Sequence, residues 1–462
     1  MTTSHRIGIF HYQLGMTDGV SLEVEKWQTV LERMGHQVVL CAGRFGKDAG
    51  VLIPELYHHD PEIEAISQNI LGLAHSLSAE ALAALIEDHK RRAKTALRRA
   101  ILENDLDLLM VDNLWSVAMN IPAAMALEEV RQELGLRAIA HHHDFYWEKK
   151  VAPNREDPLA AGILDQYLPP RSAAIQHVVI NSLAQASLAK CKQLPAVVIP
   201  NVFDFDSPDW QVDDYNADLR QAVGLEAGDV CVLQATRIIP RKGIELAIDL
   251  VAALNEAPRR KILATRGLAD GRRFGADNKI VLVLAGYDRD DPTGTYLQRL
   301  KEKAAGLGVD LRPIDAIIGP QRERKAGVKV YSLWDSYTLA DLVTYPSLWE
   351  GWGNQLLEAF RAKAPVALFE YPVYLADICS KGFDVVSLGS EIARRDRLDL
   401  VEISTKILQG AADQCVELLT QAVRRDQAVE LNYTIAERNY SYGRLKDHLM
   451  RLLLEMDFPI RI

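Results

Sequence analysis

The sequence predicts an α/β protein built from two tandem doubly wound domains. Three observations carry this. Short apolar runs alternate with amphipathic helical patterns, as in parallel βαβ units. A polar, turn-rich stretch, SPDWQVDDYNADLRQAVGLEAGD, interrupts the alternation near the middle of the chain. The alternation then starts again, which argues for a second doubly wound unit rather than one large sheet.

The elements follow in order. RIGIF (Arg6 to Phe10) reads as a buried strand, followed by a loop with Gly15 and Gly19, an amphipathic helix from Ser21 to Met34 and the strand GHQVVLCAG. LDLLMVD (Leu106 to Asp112), RAIAHHHD (Arg137 to Asp144) and HVVINS (His177 to Ser182) extend the sheet, and VVIPNVFDF (Val197 to Phe205) closes it at Pro200. In the second half, VCVLQATR, IVLVLAG, VKVYSL, LVTYPS and PVALFE read as strands and KGIELAIDLVAALN as a helix. The expected division is 1–212, 213–432 and a terminal amphipathic helix, 433–462, crossing back to the first domain. Ala257–Asn278 and Gly319–Lys329 read as basic insertions, either mobile loops near an anionic ligand or solvated surface loops. HKRRAKTALRR (His89 to Arg99) reads as a charged outer helix face.

Composition narrows the function classes. The chain has 462 residues and a net charge of −10, which disfavours general nucleic-acid binding. Five scattered cysteines give neither a disulfide framework nor zinc-site spacing. No apolar run approaches the ~20 residues of a membrane span, and MTTSHRIGIF lacks the build of a signal peptide. The expectation is a cytoplasmic protein.

Two clusters in the second half carry the chemistry. In YPSLWEGWGNQLLEAF, Glu350 and Glu358 bracket a glycine-rich turn between a strand and a helix. Ligands bind at such carboxyl ends of strands in open α/β sheets. Glycines let backbone N–H groups approach a ligand, and a helix start favours anions. Carboxylates accept from vicinal hydroxyl pairs, so the two glutamates suit a sugar and a ribose. In ATRIIPRKGIELA, Arg237 and Lys242 flank a strand exit, a plausible diphosphate site; an ordinary solvated turn is the alternative.

Together, TRIIPRKGIELA, the strand end at Ala285–Gly286 and PSLWEGWGNQLLEA resemble the retaining glycosyltransferases of family 4, with the GT-B fold. VVIPNVFDF, AHHHDF, the first loop and NYSYGRLKDHLMRLL extend the resemblance over nearly the whole chain. It departs from the family at Val202, where glycine is usual, and at Asp18–Gly19, where two glycines are common. The resemblance implies two Rossmann-like domains facing a cleft that holds a nucleotide-sugar donor and a small polar acceptor. It implies that Arg237 and Lys242 bind the diphosphate, and that Glu350 with the backbone of Gly351, Trp352, Gly353, Asn354 and Gln355 holds the transferred sugar. Glu358 would bind the ribose, Gly19 would approach the donor and His143 would lie over the reacting sugar. Asp18, His143, Asp144 and Tyr146 are candidate acceptor contacts; burial of the aromatics in the core is the equal alternative.

In a strand, His141 and His143 share one face and His142 points away. A metal site of His141, His143 and Asp144 is disfavoured, because cations already neutralise a diphosphate. No cofactor is required on this reading, and Mg2+ enters only as a stimulator. Glu350 is read as a hydroxyl ligand rather than a glycosidase-type nucleophile. A weaker resemblance, in TDGVSLEVEKW, HHHDFYWE and EGWGNQLLEA, is to the branch that makes glycerate-linked compatible solutes. That implies GDP-mannose as donor and glucosylglycerate as acceptor. Rival readings are a UDP-glucose-dependent glucosyltransferase, a sugar phosphorylase, a nucleotide-sugar epimerase and a non-enzymatic sugar-nucleotide sensor. The oligomeric state stays open, a homo-oligomer included.

Overall fold

The computed structural model describes residues 4–16, 18–46, 50–148, 157–286, 294–325 and 327–457. Two compact units divide the chain: Met1–Val202 with Tyr442–Ile462, and Phe203–Ser441. The sequence had placed these divisions at 212 and 433.

The first unit is built on a seven-stranded parallel sheet. Its strands are β1 (Arg6–His11), β2 (Gln37–Ala42), β3 (Val51–Leu52), β4 (Leu108–Asp112), β5 (Arg137–His142), β6 (Ile175–Val179) and β7 (Val197–Val198), in the order 3-2-1-4-5-6-7. β4 is buried along its whole length, which explains why LLMVD reads as a continuous apolar run. Helix α1 (Gly19–Arg33) begins two residues before its expected start, because the Asp18 carboxylate caps the backbone N–H groups of Val20 and Ser21. The strand expected over 197–205 is only the two residues of β7. Pro200 has no N–H to continue a ladder. The helix Tyr442–Asp457 packs Leu445, Leu449, Leu452 and Leu453 against Val24, Trp27 and Leu31 of α1. Each leucine so buried is worth about 1.5–3 kcal/mol. The continuous helix expected from Tyr433 is instead two, broken at Ser441, which takes an extended backbone after the helix Ala422–Tyr440.

The second unit has a six-stranded parallel sheet. Its strands are β8 (Val230–Gln234), β9 (Ile280–Leu284), β10 (Asp310–Pro313), β14 (Leu342–Tyr345), β15 (Val366–Leu368) and β16 (Val386–Ser387), in the order 10-9-8-14-15-16. The numbers between belong to a small separate sheet: β11 (Ile318–Gly319), β12 (Glu323–Lys325) and β13 (Val328–Ser332). VKVYSL therefore does not join the main sheet. It pairs antiparallel with β12, Glu323 opposite Val330, in a hairpin that includes Gly327 at φ +82°.

The two basic insertions are not simple loops. Ala257–Arg266 is a helix with Pro258 in its first turn, and Arg259 is buried with its Nε donating to Asp413 at 2.8 Å. The second insertion contains the β12–β13 hairpin, and its Arg322 is pinned to Asp335 and Asp213. After β8 come helix α2 (Ile244–Leu254), then the one-turn helix α3 (Leu333–Tyr337) before β14, and helix α4 (Asn354–Arg361) after it.

Candidate active site

The turn between β14 and α4 has the predicted strand–turn–helix context. Gly353 at the head of α4 has φ +130°, and a Cβ there would lie 2.2 Å from the Tyr371 hydroxyl oxygen. That hydroxyl donates to the Trp352 carbonyl at 2.8 Å. Only glycine meets both conditions.

The loop after β8 is laced onto this turn. The Leu348 N–H donates to the Arg241 carbonyl at 2.8 Å. Gly243 has φ +58°, and a Cβ there would meet the Pro346 carbonyl oxygen at 2.4 Å. This packing delivers Lys242 and Arg241 to Glu350. Lys242 donates to Glu350 Oε1 and, at 3.4 Å, to Gln355 Oε1; Arg241 Nη1 donates to Glu350 Oε2 at 2.7 Å and to the Trp349 carbonyl at 3.1 Å. Lys242 and Glu350 are both buried. Burial works against the Glu350 carboxylate, but the Lys242 and Arg241 charges outweigh it and hold its pKa at about 2. Burial lowers Lys242, with the Glu350 carboxylate opposing. The Glu350 carboxylate is ionised at neutral pH, because two cations touch it.

Arg237 is half-buried in the same loop, near enough for its charge to act on Lys242. Glu358 is buried on α4 and accepts from the Tyr337 hydroxyl at 2.8 Å. Gly351, Asn354 and Gln355 complete the turn and the start of α4. The Trp352 indole turns inward onto Tyr440, ring centroids 5.3 Å apart, so its backbone is the part the turn presents. Trp349 is 46% exposed, with the Arg241 guanidinium 5.7 Å from its ring.

In the first unit, the ends of β4 and β5 bring Asp112 between two imidazoles. His141 Nδ1 lies 3.0 Å from Asp112 Oδ2 and His143 Nε2 3.1 Å from Oδ1. The His143 N–H donates to Asn113 Oδ1 at 2.8 Å, and His11 Nδ1 donates to the Asp112 carbonyl at 2.8 Å. His142 faces away and meets His177 Nδ1 at 3.0 Å, as strand alternation requires. Burial disfavours the His143 cation, but Asp112 outweighs it and the pKa is raised. Burial lowers His141 despite the same carboxylate, and lowers His142 strongly. Burial likewise opposes the Asp112 charge, yet the two imidazoles bring its pKa well below the carboxylate range.

Asp112, His141 and His143 are the residues here that could together hold a divalent ion, their ligating atoms lying within 4.8 Å of one another. The carboxylate of that set is Asp112, not Asp144. Asp18 directs its carboxylate to α1: Oδ1 accepts from Val20 and Ser21 at 3.0 Å and Oδ2 from the Ser21 hydroxyl at 2.8 Å. Gly19 is exposed at the first turn and Asp144 half-buried. Tyr146 is buried in the apolar cluster with Ile66, Ile86 and Leu164.

Arg241, Asp112 and Tyr337 were missed in the sequence. Arg241 sits beside Lys242 in the same short motif. Asp112 had a legible signal, a lone acid at the carboxyl end of an apolar strand. Tyr337 had none, since its partner lies 21 residues away on another element.

Residues 216–384 match the family model described as glycosyl transferases group 1. Two curated relatives are named mannosylglucosylglycerate synthase. That of Petrotoga mobilis is 40% identical over 83% of this chain and 87% of its own length, and that of Thermotoga maritima 36% over 97% and 100%. Among solved structures, a glycosyltransferase from Rickettsia africae superposes with a TM-score of 0.62 at 13% identity, covering 99% of each chain. The two Rossmann-like sheets and these relatives agree: the chain belongs to the group 1 glycosyltransferases and has the GT-B fold.

Proposed function

We propose that this glycosyltransferase moves mannose from GDP-mannose onto glucosylglycerate, with retention of anomeric configuration. The buried Lys242–Glu350–Arg241 arrangement carries the reading, and the substrate choice is supported by 36–40% identity to relatives whose name joins mannosyl to glucosylglycerate.

Glycosyl transfer breaks the bond between the anomeric carbon and the diphosphate oxygen, and negative charge grows on the departing diphosphate. Arg237, Lys242 and Arg241 supply fixed positive charge for it, and one such preorganised donor is worth about 3–4 kcal/mol in comparable sites. Glu350 is charged at neutral pH and clamped by two cations. A carboxylate so engaged suits sugar hydroxyls better than nucleophilic attack. Glu358 takes the ribose, the backbone from Gly351 to Gln355 the sugar and diphosphate, and His143 the reacting sugar. Gly19 approaches the donor, and Asp18, His143, Asp144 and Tyr146 belong to the acceptor side of the proposal. On this reading the chemistry proceeds on these charges and requires no resident cofactor, with Mg2+ at most a stimulator.

The test is release of nucleoside diphosphate from GDP-mannose, UDP-glucose or ADP-glucose, with and without glucosylglycerate, followed by NMR of the product. GDP release that depends on glucosylglycerate, with an α-linked mannoside formed, is the expected result. Release from UDP-glucose alone, or an adduct trapped on Glu350, contradicts the proposal.

A further inference from the structure

The insertion between β10 and β14 is tied into the second unit by several side chains, among them Tyr215, whose hydroxyl donates to the Val330 carbonyl at 2.8 Å, and Arg322. Arg322, between β11 and β12, donates through Nε to Asp335 Oδ2 at 3.0 Å and through Nη1 to Asp213 at 2.7 Å. Asp335 also accepts from Asn216 Nδ2 at 2.8 Å, and it forms a capping box with Ser332 at the head of α3. The helix is only five residues long, too short to hold itself together without such anchors. Its last residue is Tyr337. Trp210 packs 5.4 Å from the Tyr337 ring and stacks on Trp334 at 4.7 Å. The Tyr337 hydroxyl, fully buried, then donates to Glu358 Oε2 at 2.8 Å.

A buried carboxylate on a helix has several rotamers, and binding a pair of ribose hydroxyls requires one of them. We propose that Tyr337 is the positioning residue for Glu358: its hydroxyl fixes the carboxylate for the ribose of the donor, and the insertion sets donor affinity through α3. This rests on the assignment of Glu358 to the ribose. It gives the insertion a role that acts through α3.

The experiment compares the affinities of GDP and 2′,3′-dideoxy-GDP by calorimetry in the wild type, Tyr337→Phe and Glu358→Gln, alongside donor KM and kcat. Tyr337→Phe removes only the hydroxyl and keeps the ring, and thermal melting confirms that each variant is folded. The wild type is expected to prefer GDP. Tyr337→Phe is expected to weaken GDP about tenfold, the scale of one hydrogen bond to a charged group, and to shrink the preference over the dideoxy analogue by the same factor. KM for the donor should rise by that factor and kcat change by less than about twofold. Arg322→Gln should move GDP affinity in the same direction by a smaller factor. A merely structural hydroxyl would weaken both nucleotides alike and leave their ratio intact, and that result overturns the proposal. If Glu358→Gln keeps the full preference for GDP, the ribose assignment itself is wrong and the proposal falls with it. If Glu358→Gln abolishes the preference while Tyr337→Phe retains it, the ribose assignment stands and the role of Tyr337 is refuted.

Discussion

Two buried carboxylates lie one in each unit, Asp112 at the end of β4 and Glu350 in the turn between β14 and α4, and their partners differ. Asp112 meets His141 and His143, whereas Glu350 meets Lys242 and Arg241. Both are held ionised against burial. An imidazole carries its charge only over part of the working pH range, while arginine carries its own throughout. The second unit therefore offers arginine charges that persist across the working pH range, which suits a leaving diphosphate. The first offers a proton whose position depends on pH, which suits a contact with a reacting sugar or acceptor.

The sharpest break of this comparison is Lys242→Ala. It removes a cation proposed for the leaving group and strands Glu350 with Arg241 alone. We expect kcat to fall about 10²- to 10³-fold. Breaking a buried pair costs about 3–5 kcal/mol, read as a lower denaturation midpoint. Adding Glu350→Gln should recover much of the stability and none of the rate. In the first unit, Asp112→Asn should cost less, about 1–3 kcal/mol, through the imidazoles left without an anionic partner. It should also shift the His143 titration, followed by NMR, to lower pH. The sign follows from the raised pKa: the His143 cation stabilises the fold fully below the ordinary imidazole value of 6.5, and this is lost as pH rises through the raised value.

Acid should separate the two centres further. The Glu350 pKa is depressed, so its contribution is complete above the ordinary value of 4.5 and is lost as pH falls from there toward about 2. Thermal melting in that window should show a loss that Glu350→Gln abolishes. The smallest effect is expected at Trp349, which is 46% exposed: Trp349→Ala should change stability by no more than about 0.5 kcal/mol. A larger loss would show that its contact with Arg241 supports the Glu350 cluster.

The sequence made much of this legible because the signals were local. Parallel strands buried on both faces read as apolar runs, and the glycines of EGWGN marked a turn where Gly353 meets Tyr371. Lys242 and Glu350 were each named, but nothing in the spacing showed that they pair across 108 residues. The errors were of two kinds. VKVYSL has the apolar pattern of a core strand yet pairs in a hairpin, since pattern does not specify a partner strand. The two insertions looked like solvated loops because buried arginines such as Arg259 look like surface charge until their acceptors are known. Asp18 and Tyr146, assigned to the acceptor, each have a structural part as well: one caps a helix and the other packs in a core.

The central claim is that the fixed cations of the second unit hold the donor diphosphate while the histidine centre of the first does not. GDP binding by calorimetry to the wild type, Arg237→Ala and His143→Ala tests it most directly. The account predicts at least about tenfold weaker binding for Arg237→Ala and a change of no more than about twofold for His143→Ala. GDP affinity unchanged by Arg237→Ala, or lost on His143→Ala, contradicts it.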